Sequence, residues 1–436
     1  VTGWATGAAA RRVHAELDLP PVDLTDLDCF ADGFPHDVFT VLRRQAPVWW
    51  HEPTDHTPDG IGFWVVSSHA ACLAAVANPQ TFSSERAPGA CGGGTLIEDL
   101  PHGLAAGVLL NMMDDPRHQR LRRLVTPALV PRALAAMEPD LRDRTAAILD
   151  PLADAGGCDF VDQVAAELPM QATASLLGVP VEDARQLMAW SNATLDHDHR
   201  DLGQEDAAAQ AAAAALADYG RQLLRSKRAS DADDMLAMLC RGTVEGPDGT
   251  PGPPSELEQL LFFSLMVTAG SETTRNAIAL GLAALMEHPE EIDWLRADPT
   301  RWDRAVEEIL RWTSPTTYNR RTATIDTELH GVPIRQGDKV TLWWASANRD
   351  EDVFDEPFRF DIRRDPNPHL AFGARSHFCL GANLARMEIR IVLGALTDRF
   401  EAFELAGPIE RFRTNKHAGV RRMPISFRPR ARSGRR

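Results

Sequence analysis

The stretch Phe372-Gly-Ala-Arg-Ser-His-Phe-Cys-Leu-Gly381 decides how the rest of this 436-residue chain is read. It closes the Pro/Gly-rich break Asp365 to Ser376 and runs into Ala382-Asn-Leu-Ala-Arg-Met-Glu-Ile-Arg390, whose apolar spacing is helical. A cysteine just before a helix gains from the positive end of the helix dipole and from free backbone N–H groups. Both stabilise a thiolate, the form that ligates metals. Gly373 and Gly381 suit a tight turn and close backbone approach to a flat ligand. Taken alone, Cys379 is equally readable as a buried structural cysteine beside a surface His377.

Upstream, Ser255-Glu-Leu-Glu258 reads as a capping box opening a helix that runs to about His288, before Pro289. At 1.5 Å per residue such a helix is about 50 Å long, enough to cross the molecule. Its centre is Ala269-Gly-Ser-Glu-Thr-Thr274, where Ala269 and Gly270 allow a flat ligand near the backbone. Threonine hydroxyls there can bond carbonyls one turn back. The preceding run Leu260-Leu-Phe-Phe-Ser-Leu-Met-Val267 is core-like, so Glu272 beside Thr273 is out of place unless it works. Glu308-Ile-Leu-Arg311 sets an acid and a base on one helix face. His118-Gln-Arg-Leu-Arg122 does the same for a histidine and an arginine. Either pair alone reads as solvated surface charge.

Net charge is −16, from 46 basic and 62 acidic residues, which excludes a general nucleic-acid binder. The 6 cysteines form no CxxC pair and fit a reduced chain rather than a disulfide scaffold. The opening VTGWATGAAARR has no signal-peptide core, and the uncharged run Gln259 to Ser271 falls short of the roughly 18 residues of a membrane span. The expectation is a cytoplasmic, monomeric enzyme without a membrane anchor. Helical patterning dominates residues 115–312, with Ala207 to Ala217 expected as a surface helix. Gly62–Val66 and Lys339–Trp344 read as strands. The fold class is therefore mostly α with small β-sheets, one domain over residues 1–436. Residues 1–30 read as a poorly ordered extension and 430–436 as a basic tail. His197 to His199 read as an exposed loop rather than a metal site.

In this order, the motifs resemble those of bacterial cytochromes P450, from about Pro35 to Pro429. The resemblance implies the cytochrome P450 fold, with haem b between the long central helix and the Cys-ligand loop. Cys379 would be the axial iron ligand, donating the electron density that favours O–O cleavage. Phe372 would shield it and Gly381 would flank it. His118, Arg122, His377 and Arg321 would hold the two haem propionates, which call for cationic partners. Arg320 is the alternative to Arg321 if the register differs by one. Glu308 and Arg311 match the family's ExxR motif, and Phe354-Asp-Glu-Pro-Phe-Arg-Phe360 its meander, which makes Arg359 the third member of a buried ion-pair network. Glu272 and Thr273 match the acid–alcohol pair that delivers protons to dioxygen. One departure stands out: Arg375 replaces the usual glycine and, if the position needs positive φ, costs roughly a kcal/mol or two.

The implied activity is a monooxygenase inserting one oxygen atom from O2 into a hydrophobic small molecule, such as a terpenoid, steroid, lipid or polyketide of secondary metabolism. Electrons from NAD(P)H would arrive through a ferredoxin and its reductase. Arg375, Arg386 and Arg123 would form the docking face. Substrate contacts implied by the resemblance are Leu265, Thr268, Ala269, Thr316, Thr317, Tyr318 and His417, together with the loop Ser84 to Leu110, whose CGGG implies mobility. Two alternatives remain, a peroxide-dependent haem enzyme and a catalytically silent partner protein. Neither is favoured by an intact Glu272-Thr273 and Cys379.

Overall fold

The computed structural model describes residues 22–90, 92–195, 201–204, 206–246 and 249–430. The capping box forms as read: Ser255 Oγ accepts from the Glu258 N–H at 3.2 Å, and the Glu258 carboxylate accepts from the Ser255 N–H at 2.8 Å. From there an unbroken helix runs Glu256–Glu287 and stops before Pro289, which cannot continue the ladder.

The helices that frame the site are α1 (Arg117–Val125), α2 (Pro131–Leu149), α3 (Glu167–Leu177), α4 (Ala184–Leu195), α5 (Ala207–Arg228), α6 (Glu256–Glu287), α7 (Trp302–Thr313) and α8 (Ala382–Arg399). Helix α6 is the axle, contacting α3, α4, α5, α7 and α8. Its residues Phe262, Phe263, Val267, Ile278, Leu282 and Leu285 lie in the largest apolar cluster. The Ala-rich α5 is not a surface helix all round. Ala209, Ala212, Leu216 and Leu224 recur at helical spacing and are buried, because small side chains let α5 settle closely against α6.

The strands β1 (Val48–His51), β2 (Phe63–Val66), β3 (Phe82–Ser83), β4 (Tyr318–Ala323) and β5 (Lys339–Trp343) form one sheet in the order β1-β2-β5-β4-β3. The two strands read from sequence are neighbours in it, parallel, with Thr341 opposite Val65. Both are buried along their length, as parallel partners covered on two faces must be. A three-stranded sheet of Phe400–Leu405, Pro424–Pro429 and Gly157–Asp159 lies elsewhere. The picture is mostly helical with small sheets, as read.

The segment up to residue 30 departs from its reading as a poorly ordered extension. From residue 22 it is packed: Leu24 and Phe30 are buried with Phe39, Phe63 and Trp343, and the Phe30 ring stacks on Trp343 at 6.0 Å. The apolar residues at its end supply what a free tail lacks. Among the described residues, no helix is long and apolar enough to cross a membrane.

Inside α8, Glu388 is 1% exposed and neither carboxylate oxygen has a hydrogen-bond partner. Burial raises its acid well above the ordinary carboxylate range, so it folds protonated. Its stabilising protonation is complete below the unfolded value and is lost as pH rises toward the folded one. Between those limits, folding stability should fall with pH by up to about 1.4 kcal/mol per unit from this group. Denaturant unfolding of Glu388→Gln against pH should lack that component of the wild-type slope.

Candidate active site

The cysteine loop is braced from behind by Glu308 and Arg311, both 0% exposed. Arg311 Nε and Nη2 donate to the two Glu308 oxygens at 2.7 Å each. Nη1 donates to the carbonyls of Asn348 and Pro357 at 2.9 Å, and Nη2 also to that of Arg359 at 3.2 Å. All five donors of the guanidinium therefore have acceptors, the condition for burying such a charge. Glu308 further accepts from the Asp361 N–H at 2.9 Å and from Asn367 Nδ2 at 3.1 Å.

The third arginine of this network is Arg364, not Arg359. Arg364 Nε lies 3.3 Å from Glu308, whereas the Arg359 side chain is 61% exposed and pairs with Glu356 at 2.8 Å. Arg359 follows a turn in which Glu356 has φ +44°, so only its carbonyl faces inward. The residue that fills the role lies five positions after Arg359, beyond the motif quoted for it.

Asn348 carries the brace to the cysteine. Its Oδ1 accepts from the Leu370 N–H at 2.6 Å, and the Leu370 carbonyl accepts from the Gly373 N–H at 2.9 Å. The Phe372 carbonyl accepts from the Cys379 N–H at 2.9 Å. Between them Arg375 has φ +61°, the left-handed conformation that glycine takes freely. Cys379 is exposed, with the Gly381 N–H and the Arg122 and Arg386 guanidinium groups near its sulfur. Burial raises the thiol, while the Gly381 N–H, Arg122 and Arg386 act to lower it.

The centre of helix α6 is opened rather than packed. Ala269 is exposed in the middle of an otherwise well-buried helix. Thr273 Oγ1 donates to the Ala269 carbonyl at 2.8 Å, the back-bond expected. Gly270 serves a different purpose from the one read. A Cβ there would lie 2.8 Å from Thr173 Oγ1, so the missing side chain lets α6 approach α3 and does not admit a ligand. Glu272 is 6% exposed, with its carboxylate 3.6 Å from His417 Nδ1 and 3.9 Å from Arg275 Nη2.

Four cationic or cation-capable groups gather on the other side. The His118 and His377 rings stack at 4.0 Å and 19°. His118 Nδ1 is 3.0 Å from Asp115 and His377 Nε2 is 3.2 Å from Ser84 Oγ. Burial, then Arg321, His118 and Arg122, lower His377 to about 2. Arg321 is 5% exposed, makes its hydrogen bond to a carbonyl, that of Arg320, at 2.9 Å, and is lowered by burial to about 10. Arg320 instead pairs with Asp99 at 2.7 Å, which settles the register: Arg321 faces the site and Arg320 does not.

A family model for cytochrome P450 matches residues 302–425. A Mycobacterium tuberculosis protein named cytochrome P450 126 is 46% identical over 411 residues, 94% of this chain and 98% of the relative. This chain belongs to the cytochrome P450 family. The steroid C26-monooxygenase of Rhodococcus jostii is 35% identical over 435 residues, 98% of this chain and 89% of the relative. The structure of a Mycobacterium marinum cytochrome P450 in complex with pseudoionone superposes with a TM-score of 0.82 at 34% identity, over 94% of this chain and 100% of that one.

Cytochromes P450 carry haem, and this site fits it. A Cβ built on Gly381 would meet nothing within 4 Å, so the position beside the thiol is clear, although its φ of −87° shows no left-handed demand. Arg321 is a buried guanidinium short of an anion, and with Arg122, His118 and His377 it matches the two carboxylates of a haem. The Phe372 ring lies 6.1 Å from that of His369 and 5.9 Å from that of Phe378, and the Arg386 guanidinium sits 4.6 Å from its centre.

The expected substrate wall is only partly present. Tyr318 is 1% exposed, its ring 4.7 Å from Trp343, and its hydroxyl accepts from the Ile97 N–H at 3.3 Å, so it belongs to the core. Thr317 is buried with its hydroxyl on the Asn415 carbonyl. Thr316 instead bridges His417 through the backbone. Leu265 and Thr268 remain half-buried on α6, and Thr268 Oγ1 donates to the Ser264 carbonyl at 3.0 Å.

The loop Ser84 to Leu110 is less free than its glycines suggest. A Cβ on Gly93 would lie 1.8 Å from the Glu85 carbonyl, so this glycine serves close packing rather than mobility. Beyond it, three cations clamp the backbone. Arg320 Nη1 donates to the carbonyls of Leu96 at 3.2 Å and Glu98 at 3.3 Å, Lys339 Nζ to that of Ile97 at 2.9 Å, and Lys416 Nζ to that of Thr95 at 3.3 Å. Burial lowers Lys416 to about 7. Among the expected docking cations, Arg386 is spent on Glu307 at 2.6 and 2.7 Å, while Arg375 and Arg123 are exposed. His197 to His199 lie outside the described residues.

Replacing Glu308 by Gln should remove about 3–5 kcal/mol by leaving Arg311 buried without its counter-charge. The purified variant should show a lowered denaturation midpoint and little or no Soret absorption. Arg375→Gly should do the opposite, raising stability by about 1 kcal/mol in the same assay by relieving the left-handed strain.

Proposed function

We propose that this cytochrome P450 binds haem b and inserts one oxygen atom of O2 into a branched apolar substrate, a steroid side chain or an acyclic terpenoid. Electrons derived from NAD(P)H arrive through a ferredoxin-type partner. The observation that carries this reading is the buried Glu272 beside Thr273 on α6, one turn after the exposed Ala269. A peroxide-using enzyme needs no such acid–alcohol pair. The substrate class rests on two relatives, the steroid C26-monooxygenase and the pseudoionone complex.

Haem, once bound, supplies the activation of dioxygen. The chain's own residues supply the rest. The Cys379 thiolate would be the iron ligand, its loop held by the Phe372 carbonyl and the Gly381 N–H. Arg122, Arg321, His118 and His377 would hold the propionates. Thr273 keeps a hydroxyl at the edge of the reaction space, and Glu272 brings protons toward it from the protein side. Leu265, Thr268 and Ala269 give the substrate an apolar floor, excluding water from the reacting carbon.

Spectral titration of the ferric protein tests the reading. Steroids and acyclic terpenoids should shift the Soret band from low- to high-spin, with macrolides and straight-chain fatty acids weaker. A spin shift confined to the latter would reverse the substrate assignment. Thr273→Ala should keep the spin shift but lose product roughly ten- to a hundredfold relative to NAD(P)H consumed, as loss of a positioned proton donor does.

A further inference from the structure

The turn that carries His417 is fixed by backbone pairing, not left to float. His417 bridges Thr316, the Ala418 N–H donates to the Pro315 carbonyl at 3.0 Å, and the Thr317 N–H donates to the Lys416 carbonyl at 3.0 Å. A rigid element therefore aims the imidazole, and it aims it at Glu272, with Nδ1 3.6 Å from Oε2 and 18% of the side chain exposed. Arg275 holds the other carboxylate oxygen from 3.9 Å. Its own Nη1 donates to Asn192 Oδ1 on α4 at 2.7 Å, and its guanidinium lies 5.4 Å from the Phe412 ring.

We propose that His417 is the residue that passes protons to Glu272, with Arg275 as the positioning residue that keeps the carboxylate turned toward it. This deepens the reaction proposed above and rests on it. Glu272 is 6% exposed, and His417, the more open of the two, is the titratable group that lies against its carboxylate. The transfer balances: imidazolium Nδ1–H gives its proton to the Glu272 carboxylate, leaving the neutral ring with its one proton on Nε2, and water reprotonates the vacated Nδ1 once the acid has turned away. Neighbouring helix positions point about 100° apart, so the neutral acid then swings from the His417 side toward Thr273. Losing its charge releases it from Arg275, which makes the swing follow protonation.

Two measurements test this on the haem-loaded enzyme. In the diamagnetic ferrous–carbonyl form, histidine NMR should show His417, assigned by its disappearance in His417→Gln, titrating at lower pH in Glu272→Gln than in the wild type. In turnover, His417→Gln should bind substrate with the same spin shift but divert electrons to hydrogen peroxide. Product per NAD(P)H should fall several-fold, and the solvent deuterium isotope effect should rise. Unchanged coupling and isotope effect in His417→Gln, alongside loss in Glu272→Gln, would overturn the His417 role and leave the monooxygenase reading intact. Wild-type coupling in Glu272→Gln would overturn the acid's assignment, and His417's with it.

Discussion

A fully buried carboxylate–guanidinium pair is the constraint on which this structure depends. Glu308 and Arg311 together gather the backbone of Asn348, Pro357, Arg359 and Asp361 into one hydrogen-bonded knot. Neither ion could be buried at 0% exposure without those partners, and none of those irregular segments could be buried without the ions. The cysteine loop inherits its position from this knot through Asn348 and Leu370. A sulfur carried on a loop is thus given the rigidity of a helix face.

The second organising element is α6, whose successive faces do different work. One is apolar core, with Phe263 and Val267 at 0% exposure. The face at Gly270 is pared down so that α3 can come close. At Ala269 and Thr273 the helix meets the reaction space, and at Glu272 and Arg275 it turns toward the C-terminal turn and α4. Because the helix is unbroken, these functions share a fixed angular spacing.

Much of this was legible in the sequence where a residue's role follows from local spacing. The Ser255–Glu258 capping box, the Glu308–Arg311 pair and the Thr273 back-bond are all within one helical turn, and each forms as its spacing implies. Legibility failed where a role depends on which way a chain turns after a motif. Arg359 matched the meander pattern but sits outside a turn at Glu356, and Arg364 takes its place. Tyr318 was among the expected substrate contacts, but it opens β4 with its ring in the core beside Trp343. Gly270 and Gly93 looked like room for a ligand and for motion. Both are small because another segment presses against them, which no single-chain pattern reveals. The contact between Glu272 and His417 joins residues far apart in sequence, and no periodicity could have paired them.

The clamp on Thr95 to Glu98 has a consequence for how such an enzyme diversifies. Arg320, Lys339 and Lys416 grip carbonyl oxygens, which every amino acid carries, and so they hold the path of the chain whatever side chains decorate it. Leu96, half-buried beside that path, can be exchanged without moving it. Glu98 is different, because its carboxylate favours the charge on Lys416 and so belongs to the clamp itself. The protein thereby separates the course of this segment from most of what it displays.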